Sequence, residues 1–446
     1  MSRHRAVAVV WFVALLVAHP AAAQAPSGEQ VSRAHTMLKQ IRDDLLQYYY
    51  DSTFGGTDLD AKYRHVDSTL GQASTIGELL GNIAQFLFDL HDSHTTFWPP
   101  ARAADVDYGW GWSTIGNAAY IDTVGKDSDA GRKGLAIGDR VVSIDGMTPT
   151  RDSRWLIDYL YNVLNPRPGM HLQLMHPDGR LYEVDVLAKV TPTDRVVDYS
   201  DMATRSRILN GYEDASHARR HWWREFGDTV LVWHFLSFGY EDIGIDEMMD
   251  RAAHHKALII DLRNNGGGAE EAILRLLGHF VEHPQRVARL RRRSRTDSLI
   301  ARPTGKTPFR GNLIILVNAN SASASEVTAR FLQLEGYATV VGDRSAGALM
   351  SSVYYPHEAG FVLGGKHVDY GVTISERDVI MNDDARLENV GVMPEWIVVP
   401  TGADIAAKRD PQMAKALAIA GIQIDPVQAA KIYEKDFART QQATRP

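Results

Sequence analysis

Asn312-Leu-Ile-Ile-Leu-Val-Asn-Ala-Asn-Ser321-Ala-Ser323-Ala-Ser325-Glu326 is an apolar run that meets a helix at a turn built from small residues. The run from Asn312 to Val317 has the β-branched, unbroken hydrophobicity of a strand buried on both faces. Beyond the turn, Val327, Phe331 and Leu334 recur at helical spacing, which predicts a helix from Ala324 to Leu334. A hydroxyl in such a turn sits at a helix N-terminus, where unpaired N–H groups and the positive dipole end favour an oxyanion. Serines at that position also act as simple N-caps, and the stretch alone does not separate the two roles.

Working outward, Thr229 to Phe235, Ala257 to Leu262 and Ala338 to Val341 are runs of the same kind. Helical patterns separate them at Asp242 to His254 and Ala269 to Phe280. Alternation of this sort implies an α/β layer with both sheet faces covered. The run Ala257 to Leu262 leads into Arg263-Asn-Asn-Gly266-Gly267-Gly268, a glycine turn before a helix. It lacks G-x-G-x-x-G spacing and a P-loop lysine, so it suits backbone N–H donation to an oxyanion better than a phosphate cradle.

The remainder divides the chain as follows. Residues 24–105 read as helical, with capping-box spacing at Thr75-Ile-Gly-Glu78 and a helix ending in His91-Asp92-Ser93-His94 before Pro99-Pro100. Residues 106–192 read as short strands with Asp145-Gly146 and Asp178-Gly179 turns and one amphipathic helix, Ser153 to Leu164. Within them, Ala130 to Gly146 resembles the core of a PDZ domain, a fold that takes extended peptides by strand addition. A polar linker spans 193–227, the α/β domain spans 228–405, and a helical tail spans 406–446. His217 and His221 share one helix face in the linker, but no further ligand is in phase and a solvated face is the expectation.

Of the 446 residues, 44% are apolar and 23% charged, which is ordinary globular usage, and the net charge of −7 gives no pull toward nucleic acid. With no cysteine, disulfide scaffolds, thiolate metal sites and cysteine nucleophiles are all excluded. Arg3 and Arg5 precede an apolar run from Ala6 to Ala18, and Ala21-Ala22-Ala23 fits a cleavage site. Residues 1–23 therefore read as a signal peptide, which implies a periplasmic or secreted protein with no membrane anchor after cleavage.

"DLRNNGGG", then "NSASASE", then "VVGDRSAG" together resemble the serine peptidases of the C-terminal-processing and tricorn core family. The resemblance implies a helical N-terminal region, a PDZ-like β-rich module and an α/β (crotonase/ClpP-like) catalytic domain. It implies Ser323 as nucleophile, with an oxyanion hole from the N–H of Ala324 and of Gly267, Gly266 being the second choice. Ala348 stands where C-terminal-processing members carry a catalytic lysine, so a serine–lysine dyad is not expected. Tricorn-type members use a histidine, and Leu90-His-Asp-Ser93-His94-Thr95 and Leu387-Glu388-Asn-Val-Gly-Val resemble the segments that supply it. The resemblance thus implies His94 as general base, Ser93 orienting its ring and Glu388 as the acidic third group. His94 as a helix cap or as a metal ligand with His91, and Glu388 as a surface ion-pair partner, are the competing readings.

No cofactor or metal is called for, and the implied partners are peptide or protein substrates, with an oligomer compatible and nucleic acid not. Arg286, Arg289, Arg291, Arg292, Arg293 and Arg295 form a basic run expected to be a solvated strand face or loop. Trp110 and Trp112 fit either a groove or a core, and Asp261, Arg263 and Asn264 are expected to brace the glycine turn. A non-catalytic ligand- or peptide-binding protein on the same scaffold is the alternative. A crotonase-like acyl-CoA enzyme is disfavoured by the leader, since CoA thioesters belong to the cytoplasm.

Overall fold

A computed structural model describes residues 25–100, 102–197, 222–239, 244–305, 307–358 and 369–433. The leader at 1–23, with His217 and His221, lies outside the described residues. The centre is a six-stranded sheet in the order Trp396–Ile397, Ala338–Gly342, Asn312–Val317, Ala257–Asp261, Val230–His234 and Trp222–Phe226. All neighbours pair parallel except the last, which is antiparallel.

Period-2 alternation explains why these strands read as continuous apolar runs. Leu231, Trp233, Leu258, Ile260, Leu313 and Ile315 point to one face, covered by helices Ile245–Ala252, Glu270–Gly278 and Ala324–Leu334. Val230, Val232, Ile259, Ile314 and Leu316 point to the other, where Met413, Ala416, Leu417 and Ala429 of helices Pro411–Ile419 and Pro426–Ala430 close over them. Each such side chain contributes about 1.5–3 kcal/mol when fully buried, so the strands, and the turns at their C-terminal ends, are rigidly held.

A second, five-stranded sheet was not apparent in the sequence. Asp369–Met381 is its spine, pairing antiparallel with Thr96–Trp98, Gln285–Arg291 and Met350–Glu358, while Thr296–Ala301 pairs on the far side of Gln285–Arg291. Helices Gly28–Tyr48, Leu59–Leu70 and Ile76–Phe88 pack on it through Leu38, Ile41, Leu45, Ile83 and Phe86, joined by Val372 and Ile374 of the spine. At Thr75 the hydroxyl accepts the Glu78 N–H at 3.0 Å, while the Glu78 carboxylate takes the N–H of Ser74 at 2.7 Å. The short strand Thr96–Trp98 follows directly on the polar cluster, so the spine fixes where His94 sits.

The β-rich module is a five-stranded antiparallel sheet, Trp110–Ile115, Ala118–Val124, Arg140–Ile144, Gly169–Met175 and Leu181–Leu187. Its helix is α-helical only over Arg154–Tyr159 and widens to a π-turn over Leu160–Leu164, and a short second helix, Asp129–Arg132, was not expected. Trp110 lies in the module core, while Trp112 is half-buried beneath the Arg154 guanidinium, 5.1 Å from the ring. Among the described residues no helix is long and apolar enough to cross a membrane.

Candidate active site

Three serines occupy the turn after Asn312–Val317, and the fold treats them differently. Ser321 and Ser325 are fully buried, and their hydroxyls donate to Leu262 O at 2.7 Å and Asn265 O at 2.9 Å. They stitch this turn to the glycine turn on the neighbouring strand. Ser323 instead stands at the N-cap of helix Ala324–Leu334, in a capping box with Glu326. Its backbone adopts φ 55°, ψ −113°, a left-handed conformation that L-residues avoid. Strain of this type costs about 1–3 kcal/mol and persists where surrounding contacts over-determine the backbone. A sharp strand-to-helix turn that thrusts one serine forward is the geometry of a nucleophile elbow.

Those contacts are explicit. The Ser323 N–H is shared between Ala348 O at 2.9 Å and Glu326 Oε2 at 3.1 Å. Ala322 N–H donates to Asn265 O at 3.0 Å, and Ala346 N–H to Ser321 O at 2.9 Å. Ala348, where the sequence resemblance places a lysine in other peptidases, thus contributes its backbone on both sides, because its own N–H donates to Glu326 Oε2 at 3.0 Å.

Gly267 lies directly against the serine. A β-carbon there would fall 2.8 Å from Ser323 Cβ and 2.9 Å from Ala324 N, and its φ of +101° also requires glycine. Its N–H, however, donates to Asn265 Oδ1 at 2.9 Å, and Asn265 is itself fully buried with Nδ2 donating to Phe235 O at 2.6 Å. The N–H groups of Ala324 and Gly266 have no partner among the described residues. In this conformation the Ala324 donor is free, the Gly267 donor is engaged, and Gly266 is the turn glycine with an unengaged N–H.

On the other side of the strap 345–349, the remaining residues converge. The Ser93 N–H and hydroxyl donate to Glu388 Oε1 and Oε2 at 2.8 and 2.9 Å, and Ser93 Oγ lies 2.7 Å from His94 Nδ1. Since the single hydroxyl proton goes to the carboxylate, Ser93 Oγ accepts from Nδ1–H, which leaves the lone pair on Nε2. Burial pushes the Glu388 carboxyl above its ordinary range, opposed by the His94 imidazole and by the Ser93 and Leu349 N–H groups. Leu349 N–H donates to Glu388 Oε2 at 2.7 Å, so adjacent residues of the strap bind Ser323 and Glu388. The Glu388 carboxylate is thus half-buried and engaged in hydrogen bonds from Ser93 and Leu349 rather than in a surface ion pair.

Three supporting residues carried no assigned role in the sequence. Buried Asp92 accepts the N–H groups of His94 and Thr95 and the Ser375 hydroxyl at 2.9, 3.0 and 2.7 Å, fixing the backbone that presents His94. Asn265 holds the glycine turn, and Glu326 holds the strap. The S-x-x-E spacing from Ser323 to Glu326 was the available signal for the last. Among the described residues no group of three or more His, Asp or Glu side chains could hold a metal. Arg263 does brace the glycine turn's entry, pairing with Asp261 at 2.7 Å and Asp410 at 2.9 Å, and Asn264 bonds Asn318 and Asn320.

A strained serine at a strand–helix turn and a histidine held by a serine and a half-buried carboxylate are joined through one strap, an arrangement of the kind serine-type hydrolases use. Residues 232–398, within the α/β part of the chain, match the model of peptidase family S41. The chain is 30% identical over 144 residues to the carboxyl-terminal-processing protease of Picosynechococcus sp. and 28% identical over 163 residues to that of Synechocystis sp.. These matches cover 31% and 36% of this chain and 31% and 35% of the relatives, so the chain spans about a third of their length. A structure of mature CPAF complexed with lactacystin superposes with TM-score 0.63 at 14% identity, covering 91% of this chain and 100% of that one. That likeness concerns the fold, which extends through all three regions.

Proposed function

We propose that this chain is an exported serine endopeptidase that cleaves peptide bonds through an acyl-enzyme on Ser323. The observation that carries the reading is the hydrogen-bonded path from the strained Ser323 backbone, through the strap Ala348-Leu349, to Glu388, Ser93 and His94. His94 Nε2 takes the Ser323 proton as Oγ bonds to the scissile carbonyl carbon. The same proton passes to the departing amine as the C–N bond breaks. Water then attacks the ester, again losing its proton to Nε2, and Ser323 is regenerated. Positive charge on the imidazole is stabilised through Ser93 by Glu388. The developing oxyanion is met by Ala324 N–H and by a turn glycine: Gly267 once Asn265 releases it, or Gly266, whose N–H is already unengaged.

Export rests on the leader at residues 1–23, and the β-rich module, read as PDZ-like, would receive an extended segment of the substrate protein. Ser323→Ala should abolish both cleavage of a peptide library and covalent labelling by a fluorophosphonate, with an unchanged thermal unfolding profile. Retained cleavage would overturn the assignment. An unreactive wild-type serine in a folded protein would favour the binding-protein alternative.

A further inference from the structure

Glu326 takes no part in the proton path above, yet it has the densest set of donors around the site. Its Oε1 accepts from the Ser345 hydroxyl at 2.6 Å and Gly347 N–H at 2.8 Å. Its Oε2 accepts from Ala348 N–H at 3.0 Å and Ser323 N–H at 3.1 Å. The side chain is fully buried, and no basic group bonds to it among the described residues. Four donors converge on one carboxylate, and three of them are N–H groups that cannot turn away.

We infer that ionised Glu326 is a positioning residue that clamps the strap 345–348 to the nucleophile's backbone, so that protonating it slackens Ser323. The inference rests on Ser323 being the nucleophile. A carboxylate offers acceptors only, and matches four donors. A carboxylic acid brings its own O–H into a cage whose one possible acceptor, the Ser345 hydroxyl, already takes the Val392 N–H at 2.6 Å and would have to give up its own donation, so at least one of the four bonds must lengthen or break. The bonds at risk include the two that hold Ser323 N–H and Ala348, and Ser323 keeps its strained φ only while they persist.

Burial without a counter-charge pushes the Glu326 carboxyl up to about 7, despite its hydrogen bonds to Ser345, Gly347, Ala348 and Ser323. The clamp therefore closes as pH rises through neutrality. Other charged groups stand off from it. Glu388 and His94 lie across the strap, linked through Leu349 and Ser93. Arg151, with Asp343, grips the strap's upstream carbonyls at Arg344 and Ser345. Arg330, one turn along the helix, is taken by Asp383.

The test compares rates of fluorophosphonate labelling of Ser323 in the wild type and in Glu326→Gln, from about pH 5 to about pH 9. The variant mimics the uncharged form at every pH. The wild-type to variant ratio should stay near one in acid and rise about tenfold or more above neutrality, with an inflection near pH 7. A ratio that is constant with pH would overturn the clamp, because a purely structural loss has no titration.

Should the variant not fold, wild-type amide exchange decides instead. Protection of the Gly347 and Ala348 amides, relative to the Ala346 amide that bonds Ser321 O, should fall on acidification through neutrality. An unchanged relative protection would refute the inference. Exchange does not depend on catalysis, so a failure of the peptidase reading, seen as turnover retained in Ser323→Ala, is distinguishable from a failure of the clamp.

Discussion

Ser93 is the residue whose chemistry is most exposed to test, because it works through a single hydroxyl with two partners. Donating to Glu388 and accepting from Nδ1–H, it sets the tautomer that leaves Nε2 basic. Ser93→Ala keeps the backbone bond to Glu388 Oε1 but leaves Nδ1–H without its acceptor. General-base catalysis contributes about 10²–10⁴-fold, and part of it should vanish: kcat falls about tenfold to a hundredfold at unchanged KM. Ser93→Thr, which restores the hydroxyl, should recover most of the loss, and a steady-state comparison of the three proteins measures both effects. At this scale Ser323, Ser93, His94 and Glu388, the residues proposed to do chemistry, were legible as candidates, since each sits in a short motif with recognisable neighbours. Asp92, Asn265 and Glu326 were not, because each acts on backbone N–H groups that the fold alone brings within reach. Gly267 lies between these cases: it sits against Ser323, but the Asn265 side chain holding its N–H is invisible in a string of letters.

Among the elements, the buried parallel strands were readable because apolar side chains on both faces leave an unbroken run. The second sheet was not, and the arginine run shows why. Strand Gln285–Arg291 and the turn after it carry arginines at positions that look solvated, yet several of them meet partners from elsewhere in the chain. Arg291 pairs with Asp378 at 3.1 Å, Arg292 with Glu376 at 2.7 Å, and Arg289 with Asp384. Arg293 does more, donating to the carbonyls of Tyr49 and Leu46 at 2.5 Å and Leu45 at 2.9 Å, at the C-terminal end of helix Gly28–Tyr48. That helix has no basic residue in its last turn, so Arg293 supplies from a distance the charge its dipole lacks. Arg293→Ala should therefore destabilise the chain by about 1–2 kcal/mol. The loss should be localised: exchange protection falls in helix Gly28–Tyr48 and leaves Ala324–Leu334 unchanged. Arg295, exposed and paired only with Asp297 at 3.2 Å, is the control whose removal should change little.

Among the described residues, a buried ion pair joins the β-rich module to the α/β domain. Arg151 and Asp343 lie 2.7 Å apart with side chains only 5% and 8% exposed. Arg151 also donates to the carbonyls of Gly116, Arg344 and Ser345 at 3.0, 2.6 and 3.2 Å, while Asp343 accepts the Gly116 N–H at 2.8 Å. Burial alone pulls the guanidinium's pKa down, and the Asp343 carboxylate opposes it. The pair thus joins the module to the upstream end of the strap that holds Ser323 and Glu388. Two consequences of removing it are separable. Arg151→Ala leaves Asp343 buried without a counter-charge, a situation that costs about 3–5 kcal/mol, and should lower the unfolding midpoint substantially. In Arg151→Met with Asp343→Asn, no unpaired charge remains and the asparagine oxygen still accepts from Gly116. Most of the stability should return, since neutral replacement of a buried pair is often nearly costless. The strap carbonyls of Arg344 and Ser345, however, still lack their donor. If the module fixes the strap, the double variant stays catalytically impaired, with kcat reduced and unfolding near wild type. If the contact serves stability alone, activity returns together with the unfolding midpoint, and a denaturation curve run beside a kinetic assay tells the two apart.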